Sequence, residues 1–297
     1  AAGLADELQS THGISLNGVV LVSAIMNFQT ARFDVGNDIP YPLYLPSFAA
    51  TAKFHDALSN KYQRMDLEQF LREVEEFAMN DYTLALAAGD QLADNDRDEI
   101  ASKLADYTGL TKDYILRTNL RITMPRFPKE LLRERGETVG RLDSRFKSFD
   151  RDDAGESYEY DPSMVAIKNI YTESMNEYLR GDLDYQSDMR YEILTNVWPW
   201  SFSGVADNQY LNIAERLRKT MHKIPNMKVF IANGYYDLAT PSFATQYTID
   251  HMFLRPHLKQ NISMHYYDAG HMMYAEHSML KKLKVDLDEF YQERTQD

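Results

Sequence analysis

The 297-residue sequence contains no cysteine. That removes disulfides, thiolate metal sites and a cysteine nucleophile together, but it does not fix a compartment, because exported and cytosolic proteins both do without cysteine. No stretch approaches the roughly 18 apolar residues of a membrane helix. Concentrated positive charge is missing too: lysine and arginine are scattered and the net charge is −13. Nucleic acid is therefore not an expected partner, because backbone binding needs clustered cations. No initiator methionine or signal peptide opens the chain, so the protein's own N-terminus is expected to lie elsewhere.

What is present is ordinary globular composition, 44% hydrophobic and 26% charged. The length suffices for one large domain or two smaller ones. "AAGLADELQSTHG" reads as a helix with Leu4 and Leu8 on one face and Gly13 as its stop. "LNGVVLVSAIMNF" follows, an apolar run centred on Val19 to Ile25 that suits a strand buried on both faces.

From about Gln29 to Trp200 the character changes. "DIPYPLYLPS" reads as a Pro-rich crossing segment, and Asp66 to Ala88 carries a 3.6-residue apolar stripe. Asp96 and Thr111 are expected to cap two shorter helices, and Asp161-Pro162 to open another. The polar stretch "RLDSRFKSFDRDDAGESYEYDP" between them reads as irregular. Beyond it come a helix at Asn208 to His222, the strand "MKVFIANG", a helix at Pro241 to Phe253, the strand "ISMHYYDA" and a helix at Glu276 to Tyr291. The pattern is α/β with parallel strands. Residues 1–28 and 201–297 form its core around a helical insertion at 29–200. Three strands is a small count against the usual 5–6 or so, so the sheet reads as incomplete.

Asp237 follows "KVFIANGYY" and His271 follows "ISMHYYDAG", 34 residues later. That separation suits one strand-helix-strand crossover, which needs about 30 residues. Parallel neighbours share a C-terminal edge, where open α/β sheets place their sites. Asp237 and His271 should meet there, the carboxylate orienting the imidazole. The alternative makes Asp237 a turn former and His271 a surface histidine.

A nucleophile is harder to find. "AGESYEYD" offers Ser157 in a Gly-Glu-Ser-Tyr setting, and the order Ser157, Asp237, His271 fits an α/β-hydrolase. Yet an elbow serine needs a buried strand before it, small flanking residues and a helix directly after it. "FKSFDRDDA", Glu159 and Pro162 fail all three, and Ser157 reads as a loop serine. Ser23 ends a strand without flanking glycines and reads as a core residue.

Metals and cofactors are not expected. "DNDRDE" at Asp94 to Glu99 lacks the central glycine of a calcium loop, and Ala105 occupies its bidentate position. His265, His271 and His277 are six residues apart, which does not gather them. The 20 tyrosines are expected mostly in core contacts. Trp198-Pro199-Trp200 is either a pocket wall or a packing hinge. Met272 either touches substrate or fills a core gap.

With "VFIANGYYDLATP" and "YYDAGHMMY" in view, the chain resembles the serine carboxypeptidase family of α/β-hydrolases, its bacterial branch especially. "LNGVVLVSAIMNF" is similar to the segment after the family's nucleophile turn, and "LDSRF…AGE…YEYDPS" to part of its helical cap. The resemblance implies a partial α/β-hydrolase fold with a large cap, a peptide substrate, and a periplasmic or secreted location. It makes Asp237 and His271 two members of a triad and Met272 a residue lining the leaving-group pocket. It also implies that the nucleophilic serine and oxyanion amides lie upstream of Ala1, in a half of the protein that would complete the fold. This chain alone is then expected to be inactive and prone to self-association through open strand edges. An esterase or acyltransferase on the same scaffold, or a non-catalytic binding module, are the alternatives.

Overall fold

A computed structural model describes residues 1–194, 199 and 201–292. Its centre is a parallel three-stranded sheet of β1 (Gly18–Val22), β4 (Lys228–Gly234) and β5 (Ile262–Tyr267), ordered β1-β4-β5. Val19 is in register with Val229, and Val229 with Ile262. The central strand explains its own sequence. Val229, Phe230, Ile231 and Ala232 are all fully buried, so "VFIA" carries no alternation because both faces are covered.

The two faces still separate with period two. Val229 and Ile231 pack under α1 (Ala2–His12), α8 (Ala214–Lys223) and α9 (Ser242–Asp250). Phe230 and Ala232 pack under α10 (His277–Gln292) through Leu283 and Phe290. The class is α/β, in three layers. On α1 the buried residues are Ala2, Ala5 and Asp6, while Leu4 is 59% exposed. The Leu4/Leu8 face was the wrong one: the alanines let α1 approach closely.

Between β1 and β4 the chain is mainly helical. The "DIPYPLYLPS" segment, read as a Pro-rich crossing ahead of the helices, is already the start of α2 (Pro40–Phe54), buried at every residue from Pro40 to Ala52. Pro40 takes the first helical position, where no N–H is needed. Pro46 sits inside the helix, a cost of about 3 kcal/mol that the burial of its neighbours offsets. The stripe from Asp66 becomes α3 (Leu67–Phe77) and α4 (Thr83–Ala88), joined by a π-turn at Ala78–Tyr82. α5 (Asp94–Thr108) starts from Ala93 rather than Asp96, whereas Thr111 does cap α6 (Lys112–Arg117). Asp161 caps α7 (Pro162–Glu177) as the sequence indicates. A two-residue pairing of β2 (Thr138–Val139) with β3 (Lys147–Ser148) interrupts the helices. The helix expected at Asn208 begins only at Ala214, and Asn208 itself takes a left-handed φ of 53°. Trp198 and Trp200 lie outside the described residues.

The helical region has its own aromatic core, with Phe48 stacked on Phe127 at 4.1 Å. That core also takes in Tyr236 and Leu238, which flank Asp237. No helix among the described residues is long and apolar enough to cross a membrane.

Candidate active site

Asp237 lies three residues beyond the end of β4, with its side chain fully buried. The carboxylate is satisfied almost entirely by its own turn. Oδ1 accepts the N–H groups of Ala239 at 2.7 Å and Thr240 at 2.9 Å, and Oδ2 accepts the Thr240 hydroxyl. An aspartate receiving N–H groups two and three residues on is Asx-turn chemistry, and "DLATP" supplies the sequence for it.

His271 arrives four residues after β5, and its Nδ1 lies 2.8 Å from Asp237 Oδ2. A carboxylate oxygen only accepts, so Nδ1 carries the proton and neutral His271 presents a lone pair at Nε2. Burial works against a charged ring. The hydrogen bond and charge of Asp237 outweigh both that and the nearby Arg141, so the His271 pKa is raised above its ordinary 6.5. The ring is about 30% exposed, and among the described residues no side chain hydrogen-bonds its Nε2. The arrangement can accept a proton at the open Nε2.

The backbone of His271 is pinned from elsewhere. Its N–H donates to the Leu142 carbonyl at 2.6 Å, and its carbonyl accepts the Ser23 hydroxyl at 2.6 Å. Two glycines make this possible. An added Cβ at Gly270 would lie 2.5 Å from the Leu142 carbonyl oxygen, and one at Gly234 would collide with the carbonyls of Ala269 and Gly270. Residues 141–144 also hold the Asp237 side: Leu238 N–H donates to the Arg141 carbonyl, and Ser144 N–H to that of Tyr236, each at 3.0 Å. The first residues of the stretch read as irregular, 141–145, are thus packed between the two site loops. Sequence reasoning missed it, and missed Thr240 and the hydrogen bond of Ser23.

Met272 is half-buried and lines a cavity of about 210 Å³ with Leu142, Arg145, Phe146, Ile167 and Glu276. A larger, more open cavity of about 1190 Å³, lined by Phe28, Arg32, Phe202 and Tyr210 among others, includes neither Asp237 nor His271.

Ser157 is exposed, outside any helix or strand, on the chain between β3 and α7. Ser23, directly after β1, is 9% exposed with a left-handed φ of 49°, and its hydroxyl is directed to the His271 carbonyl. Among the described residues no three His, Asp or Glu side chains converge as a metal site would require. Comparison with models of protein families, with curated proteins and with solved structures finds no match.

Proposed function

We propose that this chain supplies the Asp-His half of a serine-type acyl hydrolase, and that the whole protein is a carboxypeptidase acting on peptide C-termini. The observation that carries the reading is the 2.8 Å contact between His271 Nδ1 and buried Asp237, with Nε2 left open at the shared edge of adjacent parallel strands. The order β1-β4-β5, with the aspartate after the middle strand and the histidine after the last, suits the C-terminal part of an α/β-hydrolase sheet. The resemblance of "NGYYDLATP" and "DAGHMMY" supports the carboxypeptidase class, with residues 29–200 as its cap.

In this reading the nucleophile is a serine N-terminal to Ala1. His271 Nε2 removes its proton as the oxygen attacks the scissile carbonyl, and Asp237 stabilises the imidazolium that forms. The same proton passes to the departing amine, leaving an acyl-enzyme. Water then attacks the ester, again losing a proton to Nε2, and the acid product leaves with the serine restored. The cavity beside Met272 is the proposed place for the leaving residue's side chain.

The test compares this chain with the protein extended upstream, using a fluorophosphonate probe together with blocked dipeptide and ester substrates. The extended protein should be labelled at a serine before Ala1 and release C-terminal residues. The chain alone should be unlabelled, since loss of the oxyanion donors by itself costs about 10²–10³ in rate. Turnover should rise as pH climbs through the His271 pKa, with its midpoint above 6.5, because only the neutral ring is a base. Turnover of esters without peptides would make it an esterase. Absence of labelling in the extended protein would remove the hydrolase reading.

A further inference from the structure

The Asp143 and Arg145 side chains lie mostly buried at 15% and 17% exposure, joined by a two-pronged ion pair: Nε to Oδ1 at 3.0 Å and Nη2 to Oδ2 at 2.7 Å. A buried pair of this kind is weak evidence for stability, because desolvation consumes much of the Coulomb gain. Its remaining contacts are more informative. Arg145 Nη1 donates to the Asp268 carbonyl at 2.8 Å and to Glu276 Oε2 at 2.9 Å. Asp143 Oδ2 accepts the Gly270 N–H at 3.2 Å. With the Leu142 carbonyl on the His271 N–H, the loop from Asp268 to Glu276 is held at both ends and at its centre.

Three further observations separate this from an ordinary surface cluster. Four of the five guanidinium N–H groups are committed to Asp143, Asp268 and Glu276, so Arg145 is not poised to receive a substrate carboxylate. Its guanidinium also lies 5.3 Å from the ring centre of Tyr236, the residue before Asp237. The segment is itself fixed from behind. Asp161 accepts the Arg141 and Leu142 N–H groups, Ser163 Oγ accepts those of Leu142 and Asp143, and buried His55 Nε2 bonds the Ser144 carbonyl at 2.7 Å.

We propose that Asp143 and Arg145 are positioning residues for His271: as one braced pair they set the Asp268–Glu276 loop so that Nδ1 stays on Asp237 and Nε2 faces outward. The effect on turnover rests on the hydrolase reading; the effect on the imidazole does not. Loosening the brace lets the ring drift from Asp237. A misplacement of about 1 Å in a catalytic group costs about 10²-fold in rate.

The experiment uses the full chain with ¹⁵N-labelled histidine, following the low-field Nδ1–H signal and the titration of His271 by NMR. The wild type should show that proton and a pKa above the ordinary value. Arg145→Ala and Asp143→Asn should lose the proton and move the pKa back toward 6.5, while Arg145→Lys, keeping the charge without the two-pronged fork, recovers part of the signal. If Arg145→Ala does not fold, the isosteric Asp143→Asn and the more exposed Glu276→Gln give the result. In the upstream-extended protein the same variants should lower kcat by about 10–100-fold with KM changed little. Folded variants whose His271 signal and titration match the wild type would overturn the brace, whatever the enzyme assay gives. A shifted histidine in a protein that no serine probe labels would keep the brace and remove the hydrolase.

Discussion

The loop after β4 and the loop after β5 end in the same hydrogen bond, yet they are built by opposite means. The Asp237 carboxylate is held by its own neighbours, since Ala239 and Thr240 fill it within three residues, and segment 141–144 ties only the flanking backbone of Tyr236 and Leu238. His271 is held by residues distant in sequence: Leu142 and Asp143 from the helical region and Ser23, 248 positions away. A locally closed turn survives rearrangement of its surroundings. A loop fixed by remote partners is correct only when those partners are docked. The Asp237 carboxylate is thus set mainly by strand and turn, and the His271 loop by tertiary packing.

The largest effect should come from splitting the pair itself. In the upstream-extended protein, Asp237→Asn should lower kcat by about 10⁴-fold, the loss seen when a histidine loses its orienting carboxylate. The stability costs should differ between the partners. Asp237→Ala leaves two backbone N–H groups and a hydroxyl unpaired in the interior, each worth about 1–3 kcal/mol. His271→Ala removes a ring that is about 30% exposed and should change stability by under about 1 kcal/mol. Urea unfolding of this chain measures both. Equal costs would mean that the Asp237 turn is not the self-contained unit its hydrogen bonds describe.

Gly270→Ala tests the other loop. Its Cβ would meet Leu142 and Asp143 at 2.5 Å, both backbone and side-chain atoms, so the loop must lift from segment 141–146. The expected destabilisation is about 1–3 kcal/mol, in the range of overpacked interiors, with loss of the low-field His271 proton. The Asp237 turn should stay intact, which crystallography of the variant would show as an unchanged Thr240–Asp237 contact. Movement of both loops together would erase the distinction between them.

The same contrast governs what could be read from the sequence. The strands and the juxtaposition of Asp237 with His271 were legible, because apolar runs and crossover length are local or nearly local signals. Thr240 was readable in principle from "DLATP", as an aspartate followed by a hydroxyl residue in a turn. Segment 141–146 was not. Its charges are what solvent-exposed chain looks like, and only the fold reveals that Arg145 and Asp143 neutralise each other against the His271 loop. Proline content misdirected the reading of α2, because burial across 13 consecutive residues overrides a propensity that sequence alone weighs heavily. Leu4 misled in the opposite sense, since close packing of α1 selected alanine over the larger side chain.

The smallest expected effect concerns Ser23, and it bears on where the nucleophile lies. Its hydroxyl donates to the His271 carbonyl at 2.6 Å, so it reaches the backbone of the base rather than Nε2. As one more tie on the remotely held loop, it should be worth about 1 kcal/mol, the net value of a single hydrogen bond. Ser23→Ala should therefore lower stability slightly and leave turnover in the extended protein within a few-fold of the wild type. Ser157→Ala, on an exposed stretch away from both site loops, should change neither. A nucleophile behaves differently: its removal abolishes acylation with the fold intact. If Ser23→Ala erased probe labelling while the chain melted as before, the serine directly after β1 would be the reactive one, and the upstream serine would not be needed to complete the triad.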